Sequence, residues 1–184
     1  SQRLDALVES GSAGVINTRT LDLSLDEVLH DLIDMIVKMK AKRVVIDSLS
    51  GFELALAPTF RADFRESLSR LVSALAGTGV TVLMTSELED RYSDLRFSPY
   101  GSAFMTDAII VQRYVEVDSR FRRVMAVVKV RGSAHSNELR EFTIVDEGIC
   151  IGDRITGHEG LLGGQPARRD ADGLDGSAIQ ASAT

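Results

Sequence analysis

The spacing of apolar residues changes period along the chain, and each change predicts an element. Leu4, Leu7 and Val8 sit at helical spacing and Gly11 supplies a stop, so residues 4–10 read as the end of a helix. Gly14-Val-Ile-Asn17 is a short strand candidate. Ser24, with Glu27 three residues later, forms a capping box. Leu25, Val28, Leu29, Leu32, Ile33, Ile36 and Met39 then recur on one helical face. Arg43-Val-Val-Ile-Asp47 is a nearly continuous apolar run ending on a carboxylate, as in a strand buried on both faces of a parallel sheet. After a loop with Pro58, the positions of Phe64, Leu68, Leu71, Val72 and Leu75 predict a helix over 61–76, ended by Gly77 and Gly79. Val80–Thr85 reads as the next buried strand. Strand, helix, strand with short links predicts a parallel α/β sheet.

Beyond residue 90 the pattern shortens. Residues 88–103, with Pro99 and Gly101, read as a mobile loop. Three strands are predicted at 107–117, 123–130 and 140–151, with Asp118-Ser119-Arg120 at a hairpin tip. This end is therefore expected to be an antiparallel β extension. From Gly157 to Thr184 the chain is rich in Gly, Ala, Ser, Asp and Arg without periodicity, which predicts a linker or disordered tail after a domain spanning 1–156.

Composition narrows the function classes. The 184 residues, 44% hydrophobic and 26% charged, suit one soluble domain with one sizeable core. The net charge of −6 argues against a nucleic-acid coat. Residues 113–140 nevertheless hold seven Lys/Arg and three Asp/Glu, a local +4 on a remainder of −10. Such a strip suits a small anionic ligand or an acidic neighbour better than a long polyanion. Cys150, the one cysteine, has no internal disulfide partner, which fits a reducing compartment. Neither a signal peptide nor a run of about 18 apolar residues is found, so the expectation is cytoplasmic with no membrane partner. The opening Ser suggests a fragment or processed chain.

Two stretches carry candidate chemistry. An Asp at the C-terminal end of a parallel strand faces the crevice where such sheets bind ligands, and in phosphate-loop NTPases it helps hold Mg²⁺. Asp47 fits that role, with Ser48 and Ser50 as hydrogen-bonding assistants; it equally fits a cap opening the next loop. The glycine-rich loop ending in Lys-Ser/Thr that such chemistry requires is absent from these residues. The second stretch is Lys129-Val-Arg131-Gly132-Ser133-Ala-His135. On a strand, Lys129 and Arg131 project from the same face, and an anion between them relieves their repulsion. Gly132 would admit backbone close to a ligand, and Ser133 and His135 add hydrogen-bonding groups. The alternative is an edge strand guarded by charges.

Ile46-Asp-Ser-Leu-Ser50, Thr106-Asp107 through Glu116, Lys129 through His135 and Arg140-Glu-Phe-Thr-Ile144 together resemble the circadian clock protein KaiC family, in order and spacing, over roughly residues 4–166. The resemblance implies a partial RecA-like phosphate-loop NTPase fold: a parallel sheet with flanking helices and the antiparallel extension. It implies ring-forming ATPases, hexameric, with ATP between subunits and Mg²⁺ as its companion. By that correspondence Lys129 and Arg131 reach the neighbour's ATP, Arg131 as an arginine finger in trans. Arg123, Ser133, His135 and Asp146 match nucleotide-lining positions, and Asp47 matches the Walker B carboxylate. The family's phosphate loop and catalytic glutamate pair fall upstream of residue 1. Its adjacent phosphorylated Ser-Thr pair is replaced here by Ala103-Phe104, with Ser102 and Thr106 as nearby hydroxyls. The alternative function is a non-enzymatic oligomerisation or signalling module. A DNA-binding recombinase relative is disfavoured by the net acidity.

Overall fold

Residues 2–17, 25–51, 61–87, 104–163 and 167–168 are described in this computed structural model. They fall into two compact units: Ser1–Glu89 with Ser98–Met105, and Asp90–Phe97 with Thr106–Thr184.

In the first unit, helix α1 spans Gln2–Glu9 and ends as expected, with Gly11 in the left-handed region at φ 73°. Helix α2 runs Leu25–Met39, strand β1 Arg43–Ile46, helix α3 Arg61–Gly77 and strand β2 Thr81–Met84. The two strands pair in parallel, from Arg43↔Thr81 to Ile46↔Met84. The apolar positions of α3 become its core face: Phe64, Leu68, Leu71 and Leu75 are fully buried. They pack with Val28 and Ile36 of α2 and with Val44, Ile46 and Leu49. Burying each such side chain contributes about 2–3 kcal/mol, which is why α3 docks on the sheet. Gly14 is a close approach, since a Cβ there would lie 2.4 Å from the Met35 sulfur and 2.7 Å from that of Met39.

Two expectations are corrected in this unit. Residues 14–17 form no sheet ladder among the described residues; the chain at Gly14 instead packs against Met35 and Met39 of α2. Among the described residues the strands are covered on one face only: Val45 and Leu83, which are register partners, are 61% and 57% exposed. The apolar run was therefore a sound signal for a strand but not for its second cover. Ser24 and the 88–103 loop lie outside the described residues.

The second unit is a four-stranded antiparallel sheet in the order β3-β4-β5-β6. Its strands are β3 (Ala108–Val117), β4 (Arg120–Val130), β5 (Arg140–Val145) and β6 (Gly148–Arg154). The β3–β4 turn is Asp118-Ser119, with φ of 50° and 58°; positive φ at both central residues matches the twist of a two-residue hairpin. The expected single strand over 140–151 is instead two. Asp146-Glu147 turns the chain between Val145 and Gly148, and Gly148 takes φ 140°, which favours glycine. Alternation along β3 buries Val111, Val115 and Val117 and leaves Ile110 and Tyr114 exposed.

Residues 158–163, expected to belong to a linker, are held on this unit. Leu161 is buried with Val115, Val117 and Val124, and the Arg113 guanidinium donates to the Leu162 carbonyl. Strand β7 (His158–Glu159) pairs with β8 (Ala167–Arg168), flanking a 3-10 turn at Leu161–Gly163. Leucine, and not the surrounding glycines, supplies the anchor. Residues 169–184 lie outside the described residues.

Candidate functional site

The first candidate group stands where β1 ends. Because β1 and β2 run in parallel and in register, the residues after their last pair, Asp47 and Thr85, arrive side by side. The Thr85 amide donates to the Ile46 carbonyl at 3.0 Å, and the Leu49 amide donates to the Thr85 carbonyl at 2.9 Å. The Thr85 hydroxyl donates to Asp47 Oδ1 at 2.5 Å. Asp47 is exposed, and its peptide to Ser48 is cis. The capping role that the sequence left open for Asp47 is taken by its neighbour: the Gly51 amide donates to Ser48 Oγ at 3.5 Å, where a helical turn begins. Asp47 is thus a carboxylate at the C-terminal edge of a parallel strand with one oxygen oriented by a hydroxyl.

The second group is at the end of β4. Lys129 lies within the strand, whereas Arg131 already belongs to the turn, so simple alternation does not place the two side chains together. What gathers them is the dipeptide preceding β3. Lys129 Nζ donates to the Thr106 carbonyl at 2.7 Å. The Arg131 amide donates to the Asp107 carbonyl at 2.7 Å, and its guanidinium lies 3.4 Å from the Asp107 carboxylate. Both ionic partners are largely exposed, so this pair is weak and open to exchange with another anion. A register shift at Ile109/Ile110 inserts a bulge just before Lys129, which increases local twist. Gly132 adopts φ 75° with open space where a Cβ would be. This conformation is costly for other residues and lets the chain leave β4 sharply.

The remaining predicted residues are dispersed. Ser133 and His135 are exposed in the loop after Gly132, and Asp146 is exposed at the β5–β6 turn. Arg123 is in mid-β4, roughly 20 Å from Lys129 at the rise of an extended strand. It pairs across strands with Tyr114, donating from Nε to the phenol oxygen at 2.9 Å. Asp47 belongs to the first unit and all the cations to the second. Thr85 carries no role in the sequence analysis, and Asp107 and Tyr114 stand there only inside the Thr106–Glu116 motif, without a role of their own. The one available signal was register: Thr85 follows a strand parallel to that ending in Asp47.

Residues 4–155 match the family described as "ATPase: KaiC". The chain belongs to the KaiC ATPase family. It is 34% identical over 143 residues to circadian clock protein KaiC3 of Synechocystis, covering 78% of this chain and 28% of that protein. It is also 34% identical over 132 residues to the circadian clock oscillator protein KaiC of Acaryochloris marina, covering 71% and 24%. The crystal structure of a KaiC-like protein from Pyrococcus horikoshii is similar at TM-score 0.69 and 25% identity, covering 82% of this chain and 64% of that one. The α/β, RecA-like class expected from the motifs is thereby shown. The chain spans only about a quarter of the curated KaiC relatives it matches.

Proposed function

We propose that this chain supplies part of an ATP site formed between subunits of a KaiC-type ring, hexameric as the family resemblance implies. Lys129 and Arg131 reach the phosphates bound by a neighbouring subunit, and Asp47 serves the Mg²⁺ side of a site in its own subunit. The observation that carries this reading is the convergence of Lys129 and Arg131 on Thr106-Asp107 beside the left-handed Gly132. A cation held by an exposed carboxylate is already aimed and exchanges that weak partner for phosphate oxygens at little cost.

The residues fit the groups in question. Mg²⁺ characteristically takes one or two carboxylates and fills its shell with water and phosphate oxygens. One exposed carboxylate is therefore a suitable donor, and no cluster of three metal-ligating side chains occurs among the described residues. When bound, the ion neutralises phosphate charge. Arg131 adds positive charge where negative charge develops on the transferring phosphoryl group, and Lys129 orients the same group. Arg123, too distant from Lys129 along β4 to share its phosphate, addresses another part of the nucleotide. Ser133, His135 and Asp146 add hydrogen-bonding capacity around it. The phosphate loop and catalytic glutamates are supplied from outside these 184 residues. Clock-type phosphorylation at the Ser-Thr pair is not expected, since Ala103 and Phe104 carry no hydroxyl. The site is expected to work in the cytoplasm; no helix among the described residues is long and apolar enough to cross a membrane.

The decisive comparison is the ATPase rate of the upstream-extended protein against its Arg131→Ala form. An in-trans arginine finger accounts for about 10³-fold or more in rate. A loss of that order supports the reading, whereas equal rates would sink it. Turnover in neither protein would favour the non-enzymatic oligomerisation or signalling module.

A further inference from the structure

We infer that Tyr114 is a positioning residue for Arg123, holding its guanidinium in one orientation ready for the nucleotide. The inference rests on the proposal that Arg123 faces nucleotide. Tyr114 and Arg123 are direct cross-strand partners on β3 and β4. Two contacts join them: Arg123 Nε donates to the phenol oxygen at 2.9 Å, and its Cζ lies 5.4 Å from the ring centroid.

These contacts restrain different motions. Attraction between the cation and the ring keeps the guanidinium over Tyr114. The hydrogen bond through Nε fixes its rotation and leaves the Nη groups, with their four N–H donors, outside this pair. Arginine otherwise samples many rotamers, and ordering it on binding costs free energy. A partner that orders it beforehand removes part of that cost. Core packing does not explain the tyrosine, which is 65% exposed while its chain neighbour Val115 is 5% exposed and fills the core. Among the described residues β3 is an edge strand of its sheet, and the neighbouring strand there is the one that carries Arg123.

The test has a ligand-free arm and a nucleotide arm. In ¹⁵N side-chain spectra of this chain, the Arg123 Nε–Hε signal is expected to be protected from exchange and to lose that protection in Tyr114→Phe, which keeps the ring but not the hydroxyl. In the upstream-extended protein, Tyr114→Phe is expected to weaken ATP binding about 3- to 10-fold, the scale of one exposed charge-assisted contact. Arg123→Ala should weaken it at least as much, and Tyr114→Phe should add nothing to Arg123→Ala. An unchanged Nε–Hε signal in Tyr114→Phe, or additive losses in the double variant, overturns the positioning role. Wild-type ATP affinity in Arg123→Ala overturns the nucleotide role of Arg123, and with it the purpose assigned to Tyr114, even where the Nε–Hε signal responds.

Discussion

The two units solve the burial problem differently, and their candidate chemistry follows from that difference. In the first, two short parallel strands lie against α2 and α3, and the core is continuous from Val28 to Leu75. Its candidate residue, Asp47, stands at a strand end fixed by backbone hydrogen bonds on either side. In the second, a four-stranded sheet is anchored by a much smaller cluster around Val124 and Leu161. Its cations Lys129 and Arg131 occupy a strand end and a turn, Lys129 on a part-buried contact to the Thr106 carbonyl and Arg131 on an exposed ion pair, with Arg123 in mid-strand. A rigid strand end suits a group that must stay at one point. A turn with exchangeable ion pairs suits groups that must change partners. The comparison teaches that burial and chemistry are distributed oppositely here: the larger core carries one carboxylate, and the smaller core carries the cations.

Substitutions can break that contrast. The largest stability effect is expected from Phe64→Ala, because a fully buried ring in the larger core is lost: about 3–5 kcal/mol by urea denaturation followed by circular dichroism. Val124→Ala, equally buried in the smaller core, should cost only about 1.5 kcal/mol, from two methyl groups. A Val124→Ala loss as large as that of Phe64→Ala would exceed what two methyl groups supply and would mean that the smaller core is the more tightly packed.

Next in size is Gly132→Ala. Forcing an L-residue into φ 75° costs about 1–2 kcal/mol, with no steric clash to add since the space around it is open. Its effect on turnover of the upstream-extended protein should exceed its effect on stability, because it redirects the chain immediately after Arg131. A stability loss with undiminished turnover would show that the turn does not aim the cation.

The smallest effect is expected from Arg70→Ala. Its 3.1 Å pair with Asp26 joins α3 to α2, but both partners are mostly exposed, so the loss should stay below about 1 kcal/mol and shrink with added salt. A larger loss would mean that surface charge, and not the apolar face, docks the two helices.

Much of this architecture was legible in one dimension. Helical spacing located α2 and α3 because amphipathic faces must be apolar at every turn. The runs ending at Ile46 and Met84 located both parallel strands. The site was legible only in pieces. Lys129, Arg131 and Asp47 were recognisable by residue type and neighbours, but Thr85, Asp107 and Tyr114 are ordinary residues made notable by their partners. The break at Asp146-Glu147 was missed because apolar residues continue on both sides of it. Leu161 was missed because it sits alone among glycines.

By itself, then, the sequence determined the family, the helix faces, the strand positions and the residue types able to meet phosphate. Those properties depend on local spacing and on side-chain chemistry, both written in order along the chain. The tertiary structure alone decided that, among the described residues, Val45 and Leu83 lie on an exposed face. It also decided that Ser48, and not Asp47, caps the turn, that Thr106-Asp107 gathers the two cations, and that Tyr114 lies beneath Arg123. Each of these depends on register and on which elements cover a face, and contacts between residues far apart in sequence exist only once the strands have paired.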